Sequence, residues 1–333
     1  MRWSHLVLFL SLASSSYALE IPPLQIAELG ELSLESGEML RDTRLAYRTV
    51  GRLDAEKSNA VLFPTWFTGT SEDLFVMGAV AAVDTSRFFL IAVDAFGNGV
   101  SSSPSNSMKE AAFPRIAIGD MVKAQYRLVT EVLGIERLHA VMGASMGGMQ
   151  TFEWMVAYPG FVKRAVPIVG SPRLGSYDLL LWRTELEAIE LARQHGDIAS
   201  AAAVVGMVGA LAMQTPEFHA RATPRESLAK LVEEAKAGAM DSMYDQRTQL
   251  LAMIDHDVSR RHGGSMVKAA ESVEAEVLNV VALTDHMVTP GPALEFAELL
   301  GQGSIALESD CGHLALLCEG ERVQEIIRAF LER

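Results

Sequence analysis

A serine placed between glycines is the feature of this sequence with the clearest chemical use. Gly143, Ser145 and Gly147 form a Gly-x-Ser-x-Gly pattern. The apolar run before it predicts a strand and the residues after it predict a helix, so the serine lies at a sharp turn that lifts its hydroxyl above a sheet. The N–H of Met146, at the start of that helix, is then placed where an oxyanion would form. In this context the pattern predicts a serine nucleophile rather than a plain glycine-rich turn.

Candidates for the base and the acid that such a serine needs lie further along the chain. A serine hydroxyl at neutral pH requires a base, and the base requires a carboxylate that orients it. Where a serine is presented on this kind of turn, the chain order is serine, acid, histidine. Asp285 follows a predicted strand at 277–283, and His313 follows the last predicted strand. Both lie at carboxyl ends of strands, where catalytic loops gather, so we predict a triad of Ser145, Asp285 and His313.

Other residues offer alternatives for these roles. His286 is an alternative base that precedes the last strand, and Asp310 is an alternative acid that is too close in sequence to the histidine to reach it easily. The cluster Asp255-His-Asp257 with His262 has the composition of a metal site, although its spacing matches no known site. A solvated helix face explains that cluster more simply. We therefore predict neither a metal nor another cofactor.

A second N–H for the oxyanion hole is expected from the loop after an earlier strand. The loop 64–69 follows the apolar run 60–63 and contains Phe67, and the nearby Gly69 permits close approach. The alternative is an ordinary strand-to-loop turn with two buried aromatic side chains. Phe67 and Met146 are thus the predicted oxyanion donors.

The scaffold that holds these residues alternates short strands with helices. Continuous apolar runs such as 60–63 and 88–93 are typical of strands buried on both faces, whereas the alternating run 44–50 is typical of a half-exposed strand. The order predicts an α/β fold with a mostly parallel central sheet covered by helices. The remaining predicted strands are 138–142, 165–169, 277–283 and 304–307, and the predicted helices are one capped by Asp120 and ended by Gly134, 146–158, 292–300 and 321–331.

The alternation is interrupted by a helical stretch of nearly a hundred residues. We therefore predict a first part of the core at 19–173, a helical lid at 174–270 and a second part of the core at 271–333. Methionines of the lid would suit an acyl pocket, since methionine forms flexible apolar surfaces. Packing between lid helices is the simpler explanation. These residues are Met207, Met213, Met240, Met243 and Met253.

Composition limits the classes of protein to which this chain can belong. Of its 333 residues 49% are hydrophobic, which is ample for a core, and 26 glycines with 2 cysteines exclude collagen-like and disulfide-framework proteins. Acidic residues number 42 against 28 basic ones, and the net charge of −14 argues against nucleic acid and anionic membrane surfaces as partners. No apolar run is long enough to predict a stable membrane span.

The first 18 residues have the composition of a secretory signal peptide. A basic residue precedes the apolar run 6–13, and small residues suit cleavage after Ala18. The alternative is a buried N-terminal strand or helix. Export would place Cys311 and Cys318 in an oxidising compartment, where an even cysteine count favours a disulfide. Two small buried side chains are the alternative, and the sequence leaves the pairing open.

Several segments together resemble the homoserine O-acetyltransferase branch of the α/β-hydrolases. The resemblance covers most of the core, from about residue 40 to 330, and implies the α/β-hydrolase fold with a helical lid insertion. It also implies catalytic roles for Ser145, Asp285 and His313 and is compatible with a homodimer. The segments that carry it are 94–104, 120–125, 133–135, 143–150 and Glu153-Trp154, with Phe67-Thr-Gly69 resembling the oxyanion loop.

Two departures from that family bear on the reaction. Members that acylate homoserine usually carry an aspartate directly after the catalytic histidine, where it engages the substrate amine, whereas this chain has Leu314. The family also works inside the cell on acyl-CoA, which an exported and acidic protein would rarely meet and would repel. We therefore predict a serine-dependent acyl hydrolase that cleaves a small ester or thioester through an acyl-enzyme. Transfer from acyl-CoA to a small alcohol is the alternative, and a non-catalytic binding protein is the alternative of another class.

Overall fold

One mostly parallel sheet runs through the molecule. The computed structural model describes residues 20–107 and 110–333, so the predicted signal peptide at 1–18 lies outside the described residues. The strands within these ranges are β1 (Gln25–Ser33), β2 (Met39–Val50), β3 (Ala60–Pro64), β4 (Phe89–Val93), β5 (Leu138–Ala144), β6 (Val162–Ile168), β7 (Glu276–Val277), β8 (Asn279–Ala282) and β9 (Ser304–Leu307). Their order in the sheet is β1-β2-β4-β3-β5-β6-β8-β9, with β7 beside β6. Only the pairs β1–β2 and β2–β4 are antiparallel among these described strands.

Helices connect the strands, and six of them follow one another between β6 and β7. The helices are α1 (Ser71–Val76), α2 (Ile118–Arg127), α3 (Met146–Ala157), α4 (Ser176–Gln194), α5 (Ala202–Met213), α6 (Pro216–Ala222), α7 (Leu228–Lys236), α8 (Met243–Ile254), α9 (Met266–Glu271), α10 (Gly291–Leu299), α11 (Ala315–Cys318) and α12 (Gly320–Leu331). We call α4 to α9 the insertion helices; they occupy the stretch that the sequence predicts to be helical throughout. No single helix in the described ranges is long and apolar enough to cross a membrane, and Ile198–Met213 with Pro216–Ala222 meets that test only as a pair bent by 93°.

The sheet is buried on both faces because its central strands are apolar throughout. All five residues of β3 are buried. Successive side chains of a strand point to opposite faces, so Ala60 and Leu62 pack into one hydrophobic core while Val61 and Phe63 pack into the other. With both faces covered, the loops at the strand ends are the positions available for a site.

Two local features differ from the expectations drawn from the sequence. Strand β1 is absent from the predicted strands; Gly30, at a φ of 65°, interrupts it and shifts its register against β2. Asp120 is the third residue of α2 rather than its N-cap. Its carboxylate accepts from the N–H of Ala117, the true N-cap, at 2.9 Å. An acidic residue in the third position of a helix can therefore accept a hydrogen bond from the N-cap N–H when the N-cap residue itself has no polar side chain.

Candidate active site

Ser145 lies at the turn between β5 and α3. Its φ of 57° is in the left-handed region, which a residue with a side chain rarely adopts, and its N–H donates to the carbonyl of Ile168 at 2.9 Å. Close backbone approach explains the flanking glycines. A Cβ on Gly143 would lie 2.3 Å from the Gly147 carbonyl oxygen, and a Cβ on Gly147 would lie 2.6 Å from that of Pro64. A larger residue at either position would force the turn open.

The structure brings the three predicted triad side chains into one hydrogen-bonded chain. His313 Nε2 lies 2.9 Å from Ser145 Oγ, and His313 Nδ1 lies 2.6 Å from Asp285 Oδ2. Because a carboxylate only accepts, the Nδ1–H donates to Asp285 and Nε2 is left to accept the serine proton. Asp285 follows β8, His313 follows β9, and both residues are more than nine-tenths buried.

Asp285 is itself fixed by two backbone N–H groups. Its Oδ1 accepts from the N–H of Met287 at 2.8 Å and from that of Val288 at 3.0 Å. One carboxylate oxygen therefore holds the loop, and the other is directed at the imidazole. This division of roles keeps the His313 ring in one orientation.

The predicted oxyanion donors, the N–H groups of Phe67 and Met146, belong to segments that pack against each other. The short distance between Gly147 and the Pro64 carbonyl brings the loop after β3 against the first turn of α3. Within the described ranges, neither N–H donates to a protein acceptor. Phe67 and Ser145 line the same cavity. This arrangement can stabilise a negative oxygen that develops on a carbonyl group placed beside Ser145, with help from the helix dipole.

Buried amide side chains hold the loop after β3 in place. Trp154 Nε1 donates to Gln125 Oε1 at 2.7 Å, and Gln125 Nε2 donates to Gln150 Oε1 at 2.6 Å. Gln150 Nε2 in turn donates to the carbonyls of Thr65 and Met146, at 3.0 and 3.2 Å. The amide chain thus connects α2 and α3 to both segments that carry the oxyanion donors. Its three side chains lie in segments on which the family resemblance rests.

Gln249, in the insertion helix α8, is a site residue that sequence reasoning missed. Its fully buried side chain accepts from the Thr68 N–H at 2.8 Å and donates to the Phe96 carbonyl at 3.0 Å. Gln249 therefore connects Thr68, the residue after Phe67, to insertion helix α8 by a hydrogen bond. A glutamine in a helical pattern matches no motif, and Thr68 is 181 residues away, so no sequence signal points to this contact.

Gln249→Leu should lower kcat for ester hydrolysis about 10- to 100-fold, because the buried Thr68 N–H loses its acceptor and the Phe67 N–H shifts with it. KM should change less, since Gln249 does not line the cavity. Gln249→Glu keeps an acceptor for Thr68 and should restore part of the loss. The matched control is Thr248→Val, which removes from the same helix a hydroxyl bonded to the Tyr244 carbonyl. Steady-state kinetics and Tm check the prediction; equal losses of kcat in Gln249→Leu and Thr248→Val would contradict it.

Ser145 and His313 open onto a cavity of about 1560 Å³ that the core and the insertion helices line together. Of the methionines expected either to line an acyl pocket or to pack between helices, Met213 lines this cavity. Met243 and Met253 are buried in the hydrophobic core. The packing interpretation therefore describes Met243 and Met253, whereas an acyl-binding role for Met213 stays a prediction.

The alternative candidates are engaged elsewhere. His286 Nε2 lies 3.2 Å from a backbone carbonyl of α5, and Asp310 forms an ion pair with Arg221 at 2.9 Å. Asp255 pairs with Arg115. In the part of the chain that the structure describes, no group of three His, Cys, Asp or Glu side chains is arranged to hold a metal ion.

A disulfide joins Cys311 to Cys318 around the histidine loop. The pairing that the sequence leaves open is therefore a bond in this structure. Because His313 lies between the two cysteines, the bridge restricts the conformations open to the loop that carries it.

Comparison with known proteins finds the same fold and related enzymes. Residues 59–319 match a family model described as the alpha/beta hydrolase fold. The chain is 36% identical to the ethyl acetate hydrolase of Pseudomonas veronii, covering 88% of this chain and 90% of the relative. It is 30% identical to the homoserine O-acetyltransferase of Acidiphilium cryptum, covering 90% and 92%. The crystal structure of an acetylester hydrolase from Corynebacterium glutamicum superposes with a TM-score of 0.84 at 30% identity, covering 93% of this chain and 96% of that one. These matches confirm the predicted fold class and the predicted resemblance.

Proposed function

The chain belongs to the α/β-hydrolase fold family, in the branch that also holds homoserine O-acetyltransferases, and we propose that it hydrolyses small esters through Ser145. The observation that carries the proposal is the hydrogen-bonded chain from Ser145 through His313 to Asp285, at the edge of a large cavity. Similarity to an ethyl acetate hydrolase and to an acetylester hydrolase supports a short acyl group.

The geometry supports a two-step reaction. His313 takes the proton of the Ser145 hydroxyl as that oxygen attacks the ester carbonyl, and the N–H groups of Phe67 and Met146 hydrogen-bond the resulting oxyanion. The imidazolium, stabilised by Asp285, gives its proton to the leaving alcohol as the ester bond breaks. Water, deprotonated by His313, then attacks the acyl-serine. Release of the carboxylic acid returns the proton to Ser145.

Leu314 favours hydrolysis over acyl transfer to homoserine. It follows His313 directly and lines the cavity. Its alkyl side chain cannot pair with the ammonium group that acylating members of the branch hold at this position. Water needs no such partner and is the simplest acceptor. Acyl transfer to a small alcohol is the second candidate, because the same residues would catalyse it and the relative from Acidiphilium cryptum is a homoserine O-acetyltransferase.

Hydrolysis and acyl transfer are distinguished by giving purified protein both kinds of acyl donor, an ester or a thioester, and both acceptors, water and homoserine. Ethyl acetate and p-nitrophenyl acetate serve as esters, acetyl-CoA serves as the thioester donor, and homoserine is present or absent. We expect release of acetate from the esters, at a rate that homoserine does not change, and no accumulation of O-acetylhomoserine. Formation of O-acetylhomoserine from acetyl-CoA faster than hydrolysis of either ester would overturn the hydrolase proposal.

We propose that cleavage after Ala18 accompanies export, that residues 174–270 act as a lid over the cavity, and that the protein is a homodimer. Protein recovered from the producing cells should begin at Leu19, and an intact Met1 would contradict export. Light scattering on the same material measures the oligomeric state.

A further inference from the structure

Two buried side chains of α4 each have a polar atom without a partner among the described residues and belong to residues that line the cavity of Ser145 and His313. Trp182 is 2% exposed and Glu185 is 1% exposed. Among residues 20–107 and 110–333, no atom accepts from Trp182 Nε1 and no group hydrogen-bonds Glu185 Oε2. Both residues line the cavity that contains Ser145 and His313. Because unpaired buried polar groups destabilise a fold, their presence at a cavity wall points to a ligand group that pairs with both.

The pair lies next to the loop that carries the predicted oxyanion donor. Trp182 and Glu185 are three residues apart in α4, so they lie on one face of that helix. The Trp182 ring packs edge-on against the Phe67 ring, with the ring centres 5.6 Å apart. An ester whose carbonyl oxygen is bound by the Phe67 N–H therefore has its neighbouring groups within reach of this helix face.

The chemistry of the pair selects a neutral group that both accepts and donates. The indole N–H of Trp182 only donates. Burial, opposed by no charge or hydrogen bond, raises the pKa of Glu185 to about 8, so its carboxyl group is protonated at neutral pH and both donates and accepts. A cation would first require ionisation of this carboxyl against its burial. A hydroxyl accepts from the indole and donates to the carboxyl, and so satisfies both groups.

We propose that Trp182 and Glu185 form a subsite for a free hydroxyl group of the substrate, so that the preferred esters are monoesters of a diol or esters of a hydroxy acid. The proposal rests on the proposed function, since the ester is cleaved at Ser145. Apolar cavity residues such as Val205 and Met213 then pack against the carbon skeleton. An ester that places a methyl group at the subsite leaves two buried polar groups unpaired, and sites built around hydrogen bonds reject such analogues strongly.

The test compares esters that differ only by a hydroxyl in place of a methyl group. Ethylene glycol monoacetate against propyl acetate places the hydroxyl on the alcohol side, and ethyl hydroxyacetate against ethyl propanoate places it on the acyl side. Each rate is divided by that of alkaline hydrolysis, which removes differences in intrinsic reactivity. We expect the wild-type kcat/KM to favour the hydroxylated member of one pair by about tenfold or more. The pair that responds identifies the side of the ester that the subsite reads.

Variants then assign the preference to the two side chains. Trp182→Phe keeps a ring but removes the N–H, and Glu185→Leu keeps similar volume but removes the carboxyl group; each should lower the hydroxyl preference about tenfold. Glu185→Gln retains a donor and an acceptor and should keep most of the preference. The matched control is Glu187→Leu, the same change on the exposed side of α4, which should leave the preference unaltered.

The outcomes separate this subsite from the esterase function itself. If wild-type protein cleaves the esters with no hydroxyl preference in either pair, or if the preference survives both Trp182→Phe and Glu185→Leu, the subsite is wrong and the esterase proposal stands. Failure of wild-type protein to cleave any of the esters overturns the esterase proposal instead. Should Glu185→Leu not fold, Trp182→Phe decides the question, because it keeps the aromatic contact with Phe67.

Discussion

Ser145→Ala should lower kcat/KM for a short ester about 10⁵-fold, because no acyl-enzyme can form. Direct attack of water on the bound ester then has only the oxyanion donors and the binding of the ester to assist it. Hydrolysis of p-nitrophenyl acetate measures the loss. A fluorophosphonate probe gives an independent readout, since it should form a covalent adduct with the wild-type protein and none with Ser145→Ala. The two measurements together identify the nucleophile and exclude a non-catalytic binding protein.

The control for this prediction is a serine that lies away from the cavity. Ser227 is exposed within the insertion, so Ser227→Ala should keep wild-type activity and wild-type labelling. Ser145→Ala keeps a Cβ in the same backbone conformation, and its stability should stay within about 0.5 kcal/mol of wild type. Undiminished hydrolysis or persistent labelling in Ser145→Ala would show that another residue is the nucleophile.

Asp285→Asn should lower kcat about 10⁴-fold, because an amide at this position can donate to His313 Nδ1 and so stabilise the tautomer that carries its proton on Nε2. A histidine in that state cannot accept the proton of Ser145. Folding should be retained, since the Asn side-chain oxygen can still accept from the N–H groups that now bind Asp285 Oδ1, those of Met287 and Val288. Single-turnover and steady-state measurements of ester hydrolysis check the loss, and Tm checks the fold.

Asp310→Asn is the matched control for the acid. Asp310 is close to His313 in sequence, yet its carboxylate is paired with the exposed side chain of Arg221, and surface ion pairs of this kind contribute at most about 1 kcal/mol. We therefore expect near wild-type kcat from Asp310→Asn. A loss as large as that of Asp285→Asn would reassign the acid to Asp310.

The site draws its reactive groups and its surroundings from different parts of the chain. Ser145, Asp285 and His313 lie at strand ends of the sheet. Gln249, Trp182 and Glu185 belong to insertion helices α8 and α4, and they contact the oxyanion loop or line the cavity. Changes at Trp182 or Glu185 should therefore alter which ester is cleaved, and changes at Gln249 should lower the rate of cleavage, whereas changes at the strand ends should abolish it.

The candidate reactive residues could be predicted from the sequence because recognisable local patterns mark them, and the structure brings them together. A Cβ on Gly143 would meet the Gly147 carbonyl oxygen within the same turn, and a Cβ on Gly147 would meet the Pro64 carbonyl oxygen of the adjacent loop. Asp285 and His313 each follow a short apolar strand, and the carboxyl ends of parallel strands meet at one edge of a sheet. The central strands could be predicted for the same kind of reason, since burial on both faces leaves a continuous apolar run.

The surroundings of the substrate were decided by contacts between residues far apart in the chain. Gln249 accepts from Thr68 across 181 residues, and the disulfide of Cys311 was one of two interpretations that the sequence left open. A helical pattern indicates that one face of α4 is buried but does not say what that face covers, so Trp182 and Glu185 gave no signal before the structure placed them at the cavity. The sequence by itself therefore predicted which residues react, because a serine between glycines at a strand end and the order of the strands can be recognised from short segments. Only the tertiary structure decided which side chains surround those residues, because the wall of the cavity forms when helices from one part of the chain pack over strands from another.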